Sequence, residues 1–272
     1  MSYVDLHLHL LPGVDDGARD LPEALRHARR LERDGVREAV LTPHIGHPQF
    51  DVAVRLLPER VAAFQHEINA AGIRLRVRCG GELHPLAAPA LSDGELDVLA
   101  HGPLDSRWLL LEAPFAGIDE SFLLTTSALQ RRGYGLVIAH PERASRLLSG
   151  GLSMLRALLR GAVVLQVNVC SLLGKHGPDA RDAGEHLIRT RLAYVLASDG
   201  HPGRRDHTLR AGLELAVRAG ASYVHAWQLT QENPRFLLEQ GLPKVPIDEA
   251  RSAWRGPHTD RVKAARRVAG RI

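Results

Sequence analysis

Short apolar runs rich in β-branched residues alternate with longer amphipathic stretches along most of the chain. The runs are 4–10 (VDLHLHL), 38–44 (EAVLTPH), 74–82 (RLRVRCGGE), 107–113 (RWLLLEA), 134–140 (YGLVIAH), 162–168 (AVVLQVN) and 193–199 (AYVLASD). Their length and composition predict seven strands. Helical periodicity marks 20–35, 56–72, 120–133, 152–161, 207–220 and a shorter 233–241, each ending at a glycine, as helix C-termini commonly do. The first of these opens with Asp20 as a cap and Pro22 in the first turn. Repeated strand–helix alternation predicts a parallel sheet. At 272 residues an α/β barrel is favoured over an open sheet. No glycine-rich phosphate loop follows the first run, which argues against a doubly wound nucleotide binder.

The polar residues sit where the strands stop. In 4–10, Asp5, His7 and His9 alternate with Val4, Leu6, Leu8 and Leu10, so one face is apolar and the other carries metal-ligand chemistry. The later runs end in His44, Glu82, Glu112, His140 and Asp199, with His201 just beyond, and Asp15 and Asp16 lie in the first loop. In a barrel all strand C-termini open on one face, where active sites form. The expected site is therefore a metal centre with nitrogen and oxygen donors and no thiolate, a set suited to manganese, iron or zinc. His47, His84 and His101 lie beside these positions and are read as structural or surface residues, and Trp108, Trp227 and Trp254 as packing residues.

Composition changes little in this picture. An apolar fraction of 44% supports a sizeable core, and 24% charged residues is ordinary for a globular protein. The net charge of +4 owes much to Arg261, Lys263, Arg266, Arg267 and Arg271 near the end. A basic solvated helix or terminus is expected there, rather than a nucleic-acid site, because no aromatic residues interleave the charges. No apolar run reaches membrane-spanning length and no signal peptide is recognised, so a cytoplasmic protein without membrane insertion is expected. Neither Cys79 nor Cys170 is followed six positions later by arginine; Pro85 and His176 stand there. Cysteine-dependent phosphate chemistry is thereby excluded, and both cysteines are expected to pack.

The ordered series HLH, LPGVDDG, TPH, GGE, LLLE, AHPER and SDGH resembles the polymerase and histidinol phosphatase (PHP) superfamily. Within it, the likeness is greatest to the bacterial manganese-dependent protein-tyrosine phosphatases of capsule and exopolysaccharide gene clusters. The resemblance runs from about Tyr3 to Leu242. It implies a PHP-type distorted (β/α)7 TIM-like barrel over 1–245, with 246–272 as a basic tail outside it. It implies three divalent ions, manganese foremost, held by His7, His9, Asp16, His44, Glu82, Glu112, His140, Asp199 and His201, with Glu82 bridging two of them. Asp16 is preferred to Asp15, which is assigned to capping the loop. Arg143 and Arg204 are implied as phosphate-binding residues, with Arg205 adjacent as a further substrate contact. The implied reaction is phosphomonoester hydrolysis by a metal-activated water, and the implied partner is a tyrosine kinase of polysaccharide export. For a general acid the options are His201 or a metal-held water. PGRRDHTL departs from the family in lacking a proline-rich continuation after the arginine, which leaves leaving-group recognition open.

Three other readings are weighed against this one. A small-molecule phosphoesterase such as histidinol phosphatase would share the metal cluster. An amidohydrolase would also open with His-x-His, but commonly bridges its metals with a lysine on the fourth strand, where this chain has Glu112. A non-catalytic metal- or nucleic-acid-binding module is the third, and no polymerase module accompanies it here.

Overall fold

The computed structural model describes residues 2–242; the basic tail and Trp254 lie outside the described residues. Nine strand segments appear: β1 (Tyr3–Leu8), β2 (Val36–Leu41), β3 (His44–Ile45), β4 (Arg76–Cys79), β5 (Glu82–Leu83), β6 (Trp108–Glu112), β7 (Gly135–Ala139), β8 (Val163–Asn168) and β9 (Ala193–Ala197). Every named pairing is parallel, in a three-stranded sheet β1-β2-β4 and a six-stranded sheet β3-β5-β6-β7-β8-β9. The ends of the two sheets approach where Leu8 bridges Gly200, with His9 N donating to Gly200 O and Asp199 N to His7 O. The fold is the expected α/β type with parallel strands.

Two runs that read as single strands are broken. Pro43, which has no N–H to give a ladder, separates β2 from β3. Gly80 and Gly81 separate β4 from β5: a Cβ at Gly80 would lie 2.6 Å from Val40 Cγ1, and one at Gly81 2.5 Å from Ile45 Cγ1. The helices are α1 (Leu21–Arg33), α2 (Leu57–Ala70), α3 (Asp93–Leu99), α4 (Glu120–Arg131), α5 (Leu152–Leu158), α6 (Val169–Leu172), α7 (Pro178–Arg189), α8 (Leu209–Arg218), α9 (Tyr223–Trp227) and α10 (Asn233–Gln240). Asp20 caps α1 by accepting from Glu23 N, as expected. The sequence did not announce α3, opened by a Ser92–Glu95 capping box, or α7, whose buried positions are mostly alanine and glycine.

The core has two parts. A larger cluster packs the helices on the strands. A smaller one gathers Val4, Leu6, Val40, Trp108, Leu110, Val137, Val164 and Val195 from six strands, which makes it the interior between them. Along β6 the inner face therefore reads Trp108, Leu110, Glu112, and along β8 Val164, Gln166, Asn168, from apolar floor to polar mouth. Trp108 packs as expected, fully buried, with its indole N–H donating to Leu237 O at 2.8 Å. His101 packs on it, with ring centroids 5.0 Å apart; burial pushes its pKa down to about 3, so it is a neutral core histidine.

β1 does not keep one face throughout. Val4 and Leu6 belong to the inner cluster but Leu8 and Leu10 to the outer one, and the ladder to β2 slips between Asp5 and Leu8. Asp5 supports that slip: its Oδ1 accepts from Ser198 N at 3.1 Å and weakly from His7 N at 3.4 Å. The slip turns His7 and His9 inward. Asp5 itself joins no ligand group, which corrects the reading of one continuous metal-ligand face.

Candidate metal centre

The nine side chains expected to converge lie together at the C-terminal ends of the strands. One ligand atom from each residue lies within 4.8 Å of the others in four overlapping groups: His9, Asp16, His44 and His201; His7, His9 and Glu82; His7, His140 and Asp199; His44, Glu82 and Glu112. Glu82 is central. Its carboxylate lies 3.3 Å from His7 Nε2, 3.4 Å from His9 Nε2, 3.1 Å from His44 Nδ1 and 2.7 Å from His140 Nε2. Two members are aimed by backbone that few non-glycine residues adopt: His140 has φ of 36° and Asp199 of 48°. Such left-handed residues cluster at functional sites, and here they end β7 and follow β9.

Electrostatics shows that the cluster fits cations. Burial opposes charge on His9, but Asp15 and Glu82 outweigh it and raise its pKa well above the ordinary value. Glu112 is pushed up to about 8 by burial and by the charge of Glu82. Hydrogen bonding is more telling. Asp15 Oδ2 accepts from His9 Nδ1 at 2.7 Å, and Gln166 Oε1 from His7 Nδ1 at 2.9 Å. With both Nδ1 atoms protonated, the two neutral rings turn bare lone pairs towards each other, Nε2 to Nε2 at 3.1 Å. Only a shared cation, proton or metal, relieves that arrangement. A borderline metal suits imidazole and carboxylate donors.

Asp15 also accepts from Gly17 N at 3.0 Å and His44 N at 3.1 Å. It thus caps the loop, as expected, while holding His9. Asp16 points to His201 Nε2 at 3.1 Å and His44 Nε2 at 3.5 Å. Gly17 has to be glycine, since a Cβ there would lie 2.1 Å from His9 O.

The arginines are placed unequally. Arg143 reaches Asp199 Oδ2 at 3.6 Å and lies over the Phe115 ring, 4.4 Å from its centroid. Arg205 donates to Asp199 O at 2.9 Å and Oδ1 at 3.0 Å, with a side chain 20% exposed. Arg204 is 72% exposed and touches only the rim, 3.8 Å from Asp16. His47 and His84 pack edge to face beside His44 but join no ligand group. Cys79 and Cys170 are free, and burial raises both thiols, Cys79 to about 11. Sequence reasoning missed Gln166, Asn168 and Phe115; only the inward parity of 164, 166 and 168 on the sixth run could have pointed to the two amides.

A family model described as capsular polysaccharide synthesis, CpsB/CapC, matches residues 3–239. The chain belongs to the CpsB/CapC family. Its relatives include tyrosine-protein phosphatase YwqE of Bacillus subtilis (strain 168), 28% identical over 245 residues, covering 89% of this chain and 94% of that one. One solved chain, described among crystal structures of YwqE from Bacillus subtilis and CpsB from Streptococcus pneumoniae as unique metal-dependent tyrosine phosphatases, matches with a TM-score of 0.73 at 27% identity, over 89% of this chain and 97% of that one. A histidinol phosphate phosphatase from Lactococcus lactis, in complex with zinc, L-histidinol and phosphate, shares the fold with a TM-score of 0.53 at 15% identity, over 82% and 95% of the two chains. The PHP-type architecture expected from the sequence is thus shared with CpsB/CapC relatives and with a histidinol phosphatase. Among the described residues, no helix is long and apolar enough to cross a membrane.

Proposed function

We propose that this CpsB/CapC member hydrolyses phosphotyrosine on protein substrates, in the cytoplasm, and that its partner is a tyrosine kinase of polysaccharide export. The observation that carries the reading is the buried ring of imidazoles and carboxylates with Arg143 and Arg205 at its edge. His7, His9, Asp16, His44, Glu82, Glu112, His140, Asp199 and His201 would hold three divalent ions, manganese foremost, with Glu82 between two of them. Bound there, such ions supply Lewis-acid stabilisation of phosphoryl charge and activation of water.

The chain's own residues do the rest. Arg143 and Arg205 bring guanidinium groups to the mouth, where they can grip phosphoryl oxygens in pairs, and Arg204 adds charge further out on the rim. Phe115 fixes Arg143 from one side and is 48% exposed, so it offers an aromatic wall to the ester's ring. His201, its pKa lowered by burial and by His9, is neutral and better suited to ligation than to proton donation. A phenolate leaves without strong acid assistance, which favours aryl esters.

Two measurements test this. With manganese, the purified chain is expected to show a higher kcat/KM on a phosphotyrosyl peptide than on histidinol phosphate; the reverse order would move the assignment to small-molecule phosphoesterases. Arg143→Ala is expected to lower kcat/KM on the peptide by about a hundredfold, on the scale of one preorganised charge donor, and Arg143→Lys to recover only part. A loss below about threefold, under half of a 1.36 kcal/mol decade, would remove Arg143 from the phosphate site.

A further inference from the structure

β8 supplies none of the nine candidate ligands, yet it places two neutral amides on its inner face. Gln166 and Asn168 are both fully buried. They form an unbroken chain between two candidate ligands: His7 Nδ1 to Gln166 Oε1 at 2.9 Å, Gln166 Nε2 to Asn168 Oδ1 at 2.7 Å, and Asn168 Nδ2 to Asp199 Oδ2 at 2.6 Å. The chain has one direction. An ionised carboxylate only accepts, so Asn168 must present its NH₂ to Asp199. Its oxygen then faces Gln166, which must answer with its own NH₂. The Gln166 oxygen is left for His7, and an oxygen there requires the proton on Nδ1. Asn168 is held in turn from outside the chain, its backbone N–H donating to the buried Glu142 Oε1 at 2.9 Å.

We infer that Gln166 and Asn168 are positioning residues that lock His7 in its metal-competent tautomer, using the charge of Asp199 as the reference. Two consequences follow from the same bonds. His7 Nε2 keeps its lone pair aimed at the cluster, 3.3 Å from Glu82 Oε2. Asp199 has Oδ2 occupied by Asn168, so Oδ1 is the oxygen left to face His7 and His9, 3.6 Å from each Nε2. Two ligands far apart in the sequence thereby reach the centre with the correct atom forward.

The inference rests on the metal-centre reading above, and the experiment separates the two. Full-length wild type and Gln166→Leu are stripped with chelator and titrated with Mn²⁺ by calorimetry, and the melting temperature of each stripped protein is recorded. Gln166→Leu is expected to bind Mn²⁺ about 10–100-fold more weakly, the range for losing an outer hydrogen-bond partner of a ligating histidine, beside a lower melting temperature from the buried groups it leaves unpaired. A purely structural role predicts the lower melting temperature with unchanged affinity, and that result overturns the inference. Asn168→Leu, which frees the Gln166 amide to turn over, is expected to weaken binding less and serves if Gln166→Leu does not fold. Affinity within twofold of wild type in the folded variants also overturns the relay, while wild type that binds no Mn²⁺ overturns the metal-centre reading with it.

Discussion

Glu82→Gln is expected to reduce manganese-dependent turnover of an aryl phosphate by about a thousandfold or more, the upper range for removing one preorganised electrostatic partner. The substitution conserves volume and removes one charge. That charge sits 1% exposed, within 3.4 Å of a nitrogen on each of His7, His9, His44 and His140. Glu82 belongs to two of the clustered groups, so the substitution weakens both at once. Stability carries a second signature. A cation bound by the folded chain at 100 times its Kd stabilises by about 2.7 kcal/mol, so excess manganese should raise the melting temperature of wild type and barely move that of Glu82→Gln. Circular dichroism on both stripped proteins controls for folding. If the variant keeps turnover within tenfold and still responds thermally to manganese, Glu82 is not the centre of the site.

How much of this was legible beforehand depends on what each residue needed from its neighbours. Strand-end ligands stood out because a histidine or carboxylate at the end of an apolar run is visible without knowing the fold. The parallel α/β architecture followed from alternation of periods alone. Orientation was less accessible. Val4 to Leu10 alternate cleanly, yet the ladder slip at Asp5 exchanges the faces midway, and only pairing with β2 and the Ser198 amide produces it. Which of two adjacent arginines turns inward is set by the loop: Gly203 adopts φ of 77° and its N–H is held by Asp206 Oδ1. That turn sends Arg205 towards Asp199 and leaves Arg204 outside, with its expected contact reduced to the rim near Asp16. Gln166 and Asn168 were invisible for a different reason: a neutral amide in a strand has no signature until the histidine and carboxylate it joins are in place.

The floor beneath the site makes the second large prediction. Trp108→Ala is expected to destabilise the protein by about 3–5 kcal/mol, the usual cost of truncating a buried aromatic to alanine. The indole is fully buried in the interior cluster, and its N–H is the donor to Leu237 O on α10. The variant therefore combines a cavity with a weakened seat for the last described helix, whose Leu237 carbonyl keeps only the Gly241 N–H as a donor. Catalysis should be spared. Trp108 opens β6 and Glu112 ends it, so at roughly 3.3 Å per residue the cavity lies on the order of 13 Å below the carboxylate. Urea unfolding should show a lower midpoint with an unchanged slope, which reports lost stability rather than a changed denatured state. In folded, manganese-saturated protein, kcat should stay within about threefold of wild type, since packed sites this far apart behave nearly independently. A fall in kcat comparable to that of Glu82→Gln would mean that the apolar floor sets the geometry of the ligands above it, and that the two layers cannot be treated as separate.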